Sequence, residues 1–289
     1  MNDFLKTILL LTSTLLLLLS VNVAANELVK TVAALETKLQ ARIGFAAHNL
    51  NSDQRWEYKA NERFATASTF KVLACAALLK KSELRKELIT SKVIMNKEEL
   101  VAYSPVLDKL DHGTPIAMLE LCEATLVSSD NTAANYILKV LGGPQAVTEF
   151  ARSLGDTVTR LDRWETELNE AKPGDLRDTT TPRAMLDNLT QLLLGDELAA
   201  ENRSQLIDWM RRTQTASSLF RAVLPSDWVI ADRTGAGGYG TRNFIAVIWP
   251  PEKEPLVVTV FITNTEASFA ERNAAIREVG KAVVKQVSN

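Results

Sequence analysis

Strand-like segments occupy only the two ends of this chain, and the long stretch between them is patterned for helices. Near the N-terminal end the segments are Arg42 to His48 and Trp56 to Ala60. Near the C-terminal end Trp228 to Ala236, Asn243 to Trp249 and Leu256 to Thr263 are joined by Gly-rich or Pro-rich turns. From about Asn61 to Arg212 helical patterns dominate, including Thr69 to Lys81, Met118 to Val127 and Ala133 to Leu141, the last stopped by Gly142-Gly143-Pro144. Two more helical stripes flank the strands: Leu28, Val32, Leu35 and Leu39 before them, and Ile276, Val279, Val283 and Val287 after them. Five strands so divided form one sheet only if the chain ends meet around the insertion. The expectation is an α/β sheet domain built from residues 26–60 and 213–289, with a helical domain, residues 61–212, inserted into it. No repeat, low-complexity tract or flexible linker separates the two, so they should pack rigidly and leave a cleft at their seam.

With 289 residues, 46% of them hydrophobic and 24% charged, the chain can bury a full core. A formal net charge of -2 supplies no electrostatic footprint for nucleic acid or an acidic membrane, and neither is an expected partner. Residues 1–25 have the form of an export signal: Lys6 precedes an apolar stretch from Ile8 to Leu19, and Val23-Ala24-Ala25 offers small residues for cleavage. The mature chain would begin at Asn26 and reside in the periplasm or outside the cell. A retained anchor is the rival, but the stretch is about half of the roughly 20 residues that cross a bilayer. No cysteine follows closely to carry a lipid. Cys75 and Cys122 are the only cysteines. In an oxidising compartment they would pair, closing a loop of about 48 residues worth roughly 4 kcal/mol of chain entropy, and two buried free thiols are the alternative.

Three short motifs can carry chemistry. In Ser68-Thr69-Phe70-Lys71, an amine and a hydroxyl three residues apart share one face at the start of an apolar helix. The positive helix end favours developing negative charge, and apolar surroundings lower a lysine pKa so that it can take a serine proton. A helix cap beside a solvated lysine would leave the same trace. Ser129-Asp130-Asn131 interrupts the pattern between two helices; it can relay a proton, brace a loop and meet a substrate amide, or it can simply cap a helix. Arg233-Thr234-Gly235 falls in a strand and runs into Ala236-Gly237-Gly238. There a cation and a hydroxyl on a sheet edge can hold a carboxylate while small residues let a ligand approach the backbone, or a solvated charge precedes a hairpin turn.

Taken in this order, the three motifs resemble the signature of class A serine β-lactamases and penicillin-binding proteins. A fourth segment, Arg163-Trp164-Glu165-Thr166-Glu167-Leu168-Asn169, is similar to the loop in which class A enzymes hold a hydrolytic water, and the resemblance covers essentially the whole mature chain. It implies a β-lactamase/transpeptidase-like α/β (α+β) fold with a five-stranded antiparallel sheet and flanking helices. It also implies that Ser68 is acylated by the β-lactam and that water activated by Glu165 and Asn169 hydrolyses the acyl-enzyme. Lys71 or the Glu165 water would deprotonate Ser68, Ser129 would pass a proton to the leaving nitrogen, and the N–H groups of Ser68 and Ala236 would form the oxyanion hole. By the same resemblance Arg233, Thr234, Gly235 and Arg242 bind the substrate carboxylate, Asn131 binds its side-chain amide and Tyr103 walls the cleft. Arg163 and Asp178 match the ion pair at the loop neck. No cofactor or metal is implied, the partners are small β-lactams, and a monomer is expected.

The pattern is departed from twice. Arginine at 233, where most relatives have lysine, resembles the carbenicillin-hydrolysing subgroup; its planar fork suits penicillins bearing a second carboxylate and points to a penicillinase. Thr166 stands where many members have proline after a cis peptide, which leaves a cis threonine and a rearranged loop both open. Other chemistries fit poorly. His48 and His112 are the only histidines, and neither has a Gly-x-Ser-x-Gly partner or metal-ligand spacing. A D,D-peptidase or a β-lactam sensor would share the serine motif, but Glu165 argues against both.

Overall fold

The computed structural model describes residues 27–288; the expected export signal, residues 1–25, lies outside them. A helix over residues 27–39 (α1) leads into strands β1 (Arg42–Asn49) and β2 (Gln54–Tyr58). After the short β3 (Phe64–Ala65) the chain enters the helical stretch: α2 (Phe70–Leu84), α3 (Glu87–Thr90), the hairpin β4 (Lys92–Ile94) and β5 (Pro115–Ala117), α4 (Met118–Glu123), α5 (Asn131–Leu141) and α6 (Gln145–Ser153). It returns through β6 (Thr179–Thr180), α7 (Pro182–Leu193) and α8 (Ala200–Arg211) to β7 (Val229–Ala236), β8 (Arg242–Trp249), β9 (Leu256–Thr263) and α9 (Phe269–Ser288).

The five long strands form one antiparallel sheet in the order β2-β1-β9-β8-β7, so the two ends of the chain meet where β1 pairs with β9, from Arg42 opposite Thr263 to Asn49 opposite Leu256. Alternation along each strand assigns its residues to two cores. Phe244, Ala246 and Ile248 of β8 pack with Val258, Val260 and Ile262 of β9 against Val32 of α1 and Ile276, Val279 and Val283 of α9. On the other face Ile245, Val247, Val257 and Phe261 pack with the helical stretch. At the centre of that stretch α2 is buried from Phe70 to Leu79, which explains why it is apolar all round. Its two ends are joined by the β3–β6 ladder, Phe64 opposite Thr180 and Ala65 opposite Thr179.

Three expectations need adjustment. The second strand spans Gln54–Tyr58 because its register with β1 is fixed by a turn at residues 50–53, where Asp53 has φ 54°. The helix expected to run to Val127 stays α-helical to Glu123 and continues as a π turn, Ala124–Ser128, that ends in left-handed Ser129 at φ 65°. The expected disulfide is absent. Cys75 and Cys122 are neighbours but free, both fully buried, and the Cys75 Sγ is directed at the Cys122 carbonyl oxygen, 3.9 Å away. Burial, and after it the neighbouring Cys75 thiol, holds the Cys122 thiol well above its ordinary pKa.

Candidate active site

Ser68 sits in a single 3-10 turn, Ala67–Thr69, immediately before α2. Ala67 is left-handed at φ 41°, a conformation costly for a residue with a Cβ and held only by over-determined surroundings. Those surroundings are visible: Asn243 Nδ2 donates to the Ala65 and Thr66 carbonyls at 2.8 and 3.0 Å, and Thr66 N–H donates to the Asp178 carbonyl at 2.8 Å. Edge strand β7 then passes so close that a Cβ on Gly235 would lie 3.0 Å from Thr66 O and 3.2 Å from Ser68 N. Glycine at 235 is therefore a packing requirement of the nucleophile turn. Ser68 caps nothing; its hydroxyl oxygen accepts from Ser129 Oγ at 3.3 Å.

Lys71 is the second residue of α2, three positions after Ser68, and completely buried. Its Nζ donates to Asn131 Oδ1 at 2.5 Å and to Ser129 O at 3.0 Å, reaches Ser129 Oγ at 3.4 Å, and lies 3.2 Å from Glu165 Oε1. Desolvation pushes the amine down to about 8, against the opposing pull of the Glu165 carboxylate. Glu165 in turn accepts from Asn169 Nδ2 at 2.5 Å. A chain of polar contacts thus runs from Ser68 through Ser129 and Lys71 to Glu165 and Asn169. Within the second motif Asp130 caps α5 by accepting from Ala133 N–H, and its other oxygen braces Val106 and Leu107, while Ser129 and Asn131 line the cleft. Asn131 also donates to the Ala102 carbonyl at 2.8 Å, beside Tyr103.

The loop carrying Glu165 leaves and returns at a neck where Arg163 Nε donates to Asp178 Oδ2 at 2.6 Å. The Glu165–Thr166 peptide is cis, the first of the two arrangements that the threonine left open. At the other side of the loop, Gly238 N–H donates to Asn169 O at 2.8 Å, and a Cβ on Gly237 would lie 2.8 Å from that same oxygen. The backbone that approaches Gly237 and Gly238 is thus that of the Glu165 loop, where the sequence suggested a ligand. Asn135 grips Glu165 from both sides, accepting from its N–H at 3.0 Å and donating to its carbonyl at 2.8 Å. Sequence reasoning missed Asn135, since an asparagine inside a regular helix carries no local signal; Thr215, in an unpatterned turn, was missed for the same reason.

A cleft of about 500 Å³ opens above this floor, lined by Ser68, Tyr103, Ser129, Asn131, Asn169, Thr234, Gly235, Ala236 and Arg242. Arg233 is not among the lining residues. It is fully buried, with Nη2 donating to Ser129 Oγ and Nη1 to Thr215 Oγ1 at 3.3 Å, so its fork is committed to two hydroxyls and not open to a second substrate carboxylate as the sequence suggested. Burial lowers Arg233 and Arg242 to about 10 each, and Arg233 adds its repulsion to Arg242. Lys71 and Arg233 both feel the Glu165 carboxylate, Lys71 also that of Asp130 and Arg233 also that of Asp232, while Arg242 stands beside Arg233 without a carboxylate partner among its main influences. The histidines lie elsewhere: His48 Nε2 is 2.8 Å from Asp53 Oδ1 on the β1–β2 hairpin, and His112 is exposed in a turn.

The chain matches the family model of the β-lactamase enzymes over residues 15–287. It is 47% identical to β-lactamase AER-1 of Aeromonas hydrophila over 88% of this chain and 84% of that one. It is 46% identical to β-lactamase CARB-3 of Pseudomonas aeruginosa, over 89% of each. Among solved structures, an ancestral class A β-lactamase superposes with a TM-score of 0.87 at 50% identity, covering 89% of this chain and 99% of that one. The chromosome-encoded β-lactamase of Vibrio parahaemolyticus superposes with a TM-score of 0.88 at 42% identity, over 91% of this chain and 99% of that one.

Proposed function

The chain belongs to the class A β-lactamases, enzymes that hydrolyse β-lactams and confer resistance to them, and from that premise we propose that it opens penicillins through a Ser68 acyl-enzyme. Ser68 Oγ attacks the lactam carbonyl while its proton passes to Lys71 or to a water held by Glu165. Lys71 is suited to the task because burial has brought its amine toward neutrality. The N–H groups of Ser68 and Ala236 take the developing oxyanion, where one donor is typically worth about 10² to 10³ in rate. Ser129, within reach of both Ser68 and Lys71, returns the proton to the nitrogen as the C–N bond breaks.

The second stage regenerates the enzyme. Glu165, oriented by Asn169 and Asn135, removes a proton from water, which attacks the ester carbonyl and releases the penicilloate and free Ser68. Thr234 and Arg242 hold the substrate carboxylate, and Gly235 lets β7 approach. Arg233 contributes its field and the placement of Ser129 Oγ, while Asn131 meets the side-chain amide and Tyr103 forms a wall. Export with cleavage after Ala25, and action as a monomer in the periplasm or medium, complete the proposal; no helix among the described residues is long and apolar enough to cross a membrane.

The observation that carries this reading is the placement of the Lys71 ammonium between Ser129 and Glu165, both carboxylate and amine fully buried beside the nucleophile. Mass spectrometry after mixing with benzylpenicillin tests it. The native enzyme should show a transient adduct on Ser68, and Glu165→Ala should accumulate it, with turnover reduced about 10² to 10⁴-fold. A permanent adduct on the native protein would instead indicate a D,D-peptidase or sensor, and unchanged turnover in the variant would remove Glu165 from its role.

A further inference from the structure

Arg242 is held in an unequal way. Its Nε donates to Asn273 Oδ1 at a firm 2.7 Å, whereas its terminal nitrogens make only long contacts, Nη1 to Gly235 O and Nη2 to Thr215 O, each 3.4 Å. The inner end of the guanidinium is fixed and the outer donors are left for something stronger. Phe269 stands against it: the guanidinium carbon is 4.7 Å from the centre of its ring, and that of Arg272 is 5.6 Å from the same ring. Arg272 repels Arg242, so a ring whose face attracts both cations also keeps the pair together.

Phe269 is itself well anchored. It is the first residue of α9, and the start of that helix is closed by a capping box in which Ser268 N–H donates to Glu271 Oε2 at 2.7 Å and Glu271 N–H donates to Ser268 Oγ at 3.3 Å. Yet the side chain is 48% exposed and lines the cleft beside Arg242 and Asn273, a place where a large aromatic contributes little to the core.

We propose that Phe269 is a positioning residue for recognition of the substrate carboxylate, its ring holding the Arg242 guanidinium so that the terminal donors face the cleft. The proposal rests on the reading of Arg242 as a carboxylate ligand. Phe269 touches neither the lactam nor the nucleophile; it acts through Arg242.

Steady-state kinetics on benzylpenicillin and on its methyl ester, with melting temperatures alongside, separate the possibilities. Phe269→Leu keeps the apolar bulk and removes the π face. It should raise KM for the free acid about 3- to 10-fold, with kcat changed by no more than about twofold, and leave KM for the ester as in the native enzyme. Phe269→Tyr, which restores the ring, should return KM to the native value. In an Arg242→Ala background Phe269→Leu should add nothing. A KM rise shared equally by acid and ester would overturn the proposal in favour of direct apolar contact. An unchanged KM in Phe269→Leu, where Arg242→Ala does discriminate acid from ester, would overturn it while leaving the role of Arg242 intact. If Arg242→Ala fails to discriminate them, the carboxylate reading itself falls.

Discussion

Two ion pairs hold the loop between residues 162 and 178, and they are built in opposite ways. At the neck, both oxygens of Asp178 are hydrogen-bonded: Oδ1 accepts from the N–H groups of Asp162 and Arg163 at 2.8 and 3.0 Å, and Oδ2 accepts from Arg163 Nε at 2.6 Å. At the floor of the cleft, Glu165 Oε2 accepts from Asn169 while Oε1 has only the Lys71 ammonium, 3.2 Å away and without hydrogen-bond geometry. A carboxylate with three hydrogen bonds, one of them from its cationic partner, is fixed in place and suited to holding structure together. One that is buried and under-coordinated is expensive to maintain and free to move protons. The contrast divides the loop into a scaffold and a reactive centre.

Removing the amine of the floor pair should have the largest effect. Lys71→Met should lower kcat/KM for benzylpenicillin about 10³-fold, read from initial rates, while a loss below tenfold would leave the amine out of proton transfer. The same variant carries a signature in stability. The amine titrates at about 8 in the folded protein, against 10.5 for an unperturbed lysine, so below pH 8 the cost of burying its charge is fully present. Between pH 8 and 10.5 the unfolded chain binds more protons than the native one, and the wild type should gain unfolding free energy relative to Lys71→Met. Urea titrations across that range would show the gap flat if the amine were solvated.

At the neck the effect should be on folding and smaller. Asp178→Asn preserves a residue that tolerates the left-handed backbone at φ 55° but removes the charge, and should destabilise by about 3 kcal/mol, the low end for breaking a buried pair, because Arg163 keeps Glu170 at 2.6 Å. Equilibrium unfolding gives the number, and a loss of activity with unchanged stability would contradict the division of roles. The exposed pair Lys139–Glu99, at 2.9 Å with the lysine side chain 64% accessible, calibrates the scale: Lys139→Ala should leave both the urea midpoint and turnover unchanged.

Much of the fold was legible because sheet and helix leave different periods. The stripes Val32 to Leu39 and Ile276 to Val283 are amphipathic at 3.6 residues, and β8 and β9 are continuous apolar runs because both their faces are covered. Of the site, Ser68, Lys71, Ser129 and Asn131 were visible as motifs with fixed spacing. Asn135, Thr215 and Phe269 were not, since each acts across a gap of many residues and looks locally like any helix or turn residue. Gly237 and Gly238 were visible as small residues, but their contact with the backbone of Asn169 and Glu170 was not.

By itself the sequence determined which residue types stand at each position of a shared local pattern, and hence the family, the candidate nucleophile Ser68 and the helix beneath it. Whether a charge is spent or available was decided only by the tertiary structure. The expected carboxylate fork of Arg233 is occupied by Ser129 and Thr215, the two neighbouring thiols are unbridged, and Lys71 loses water on every side. The reason is physical: periodicity and spacing are properties of neighbours along the chain, whereas desolvation and hydrogen-bond saturation depend on every group that folding brings close.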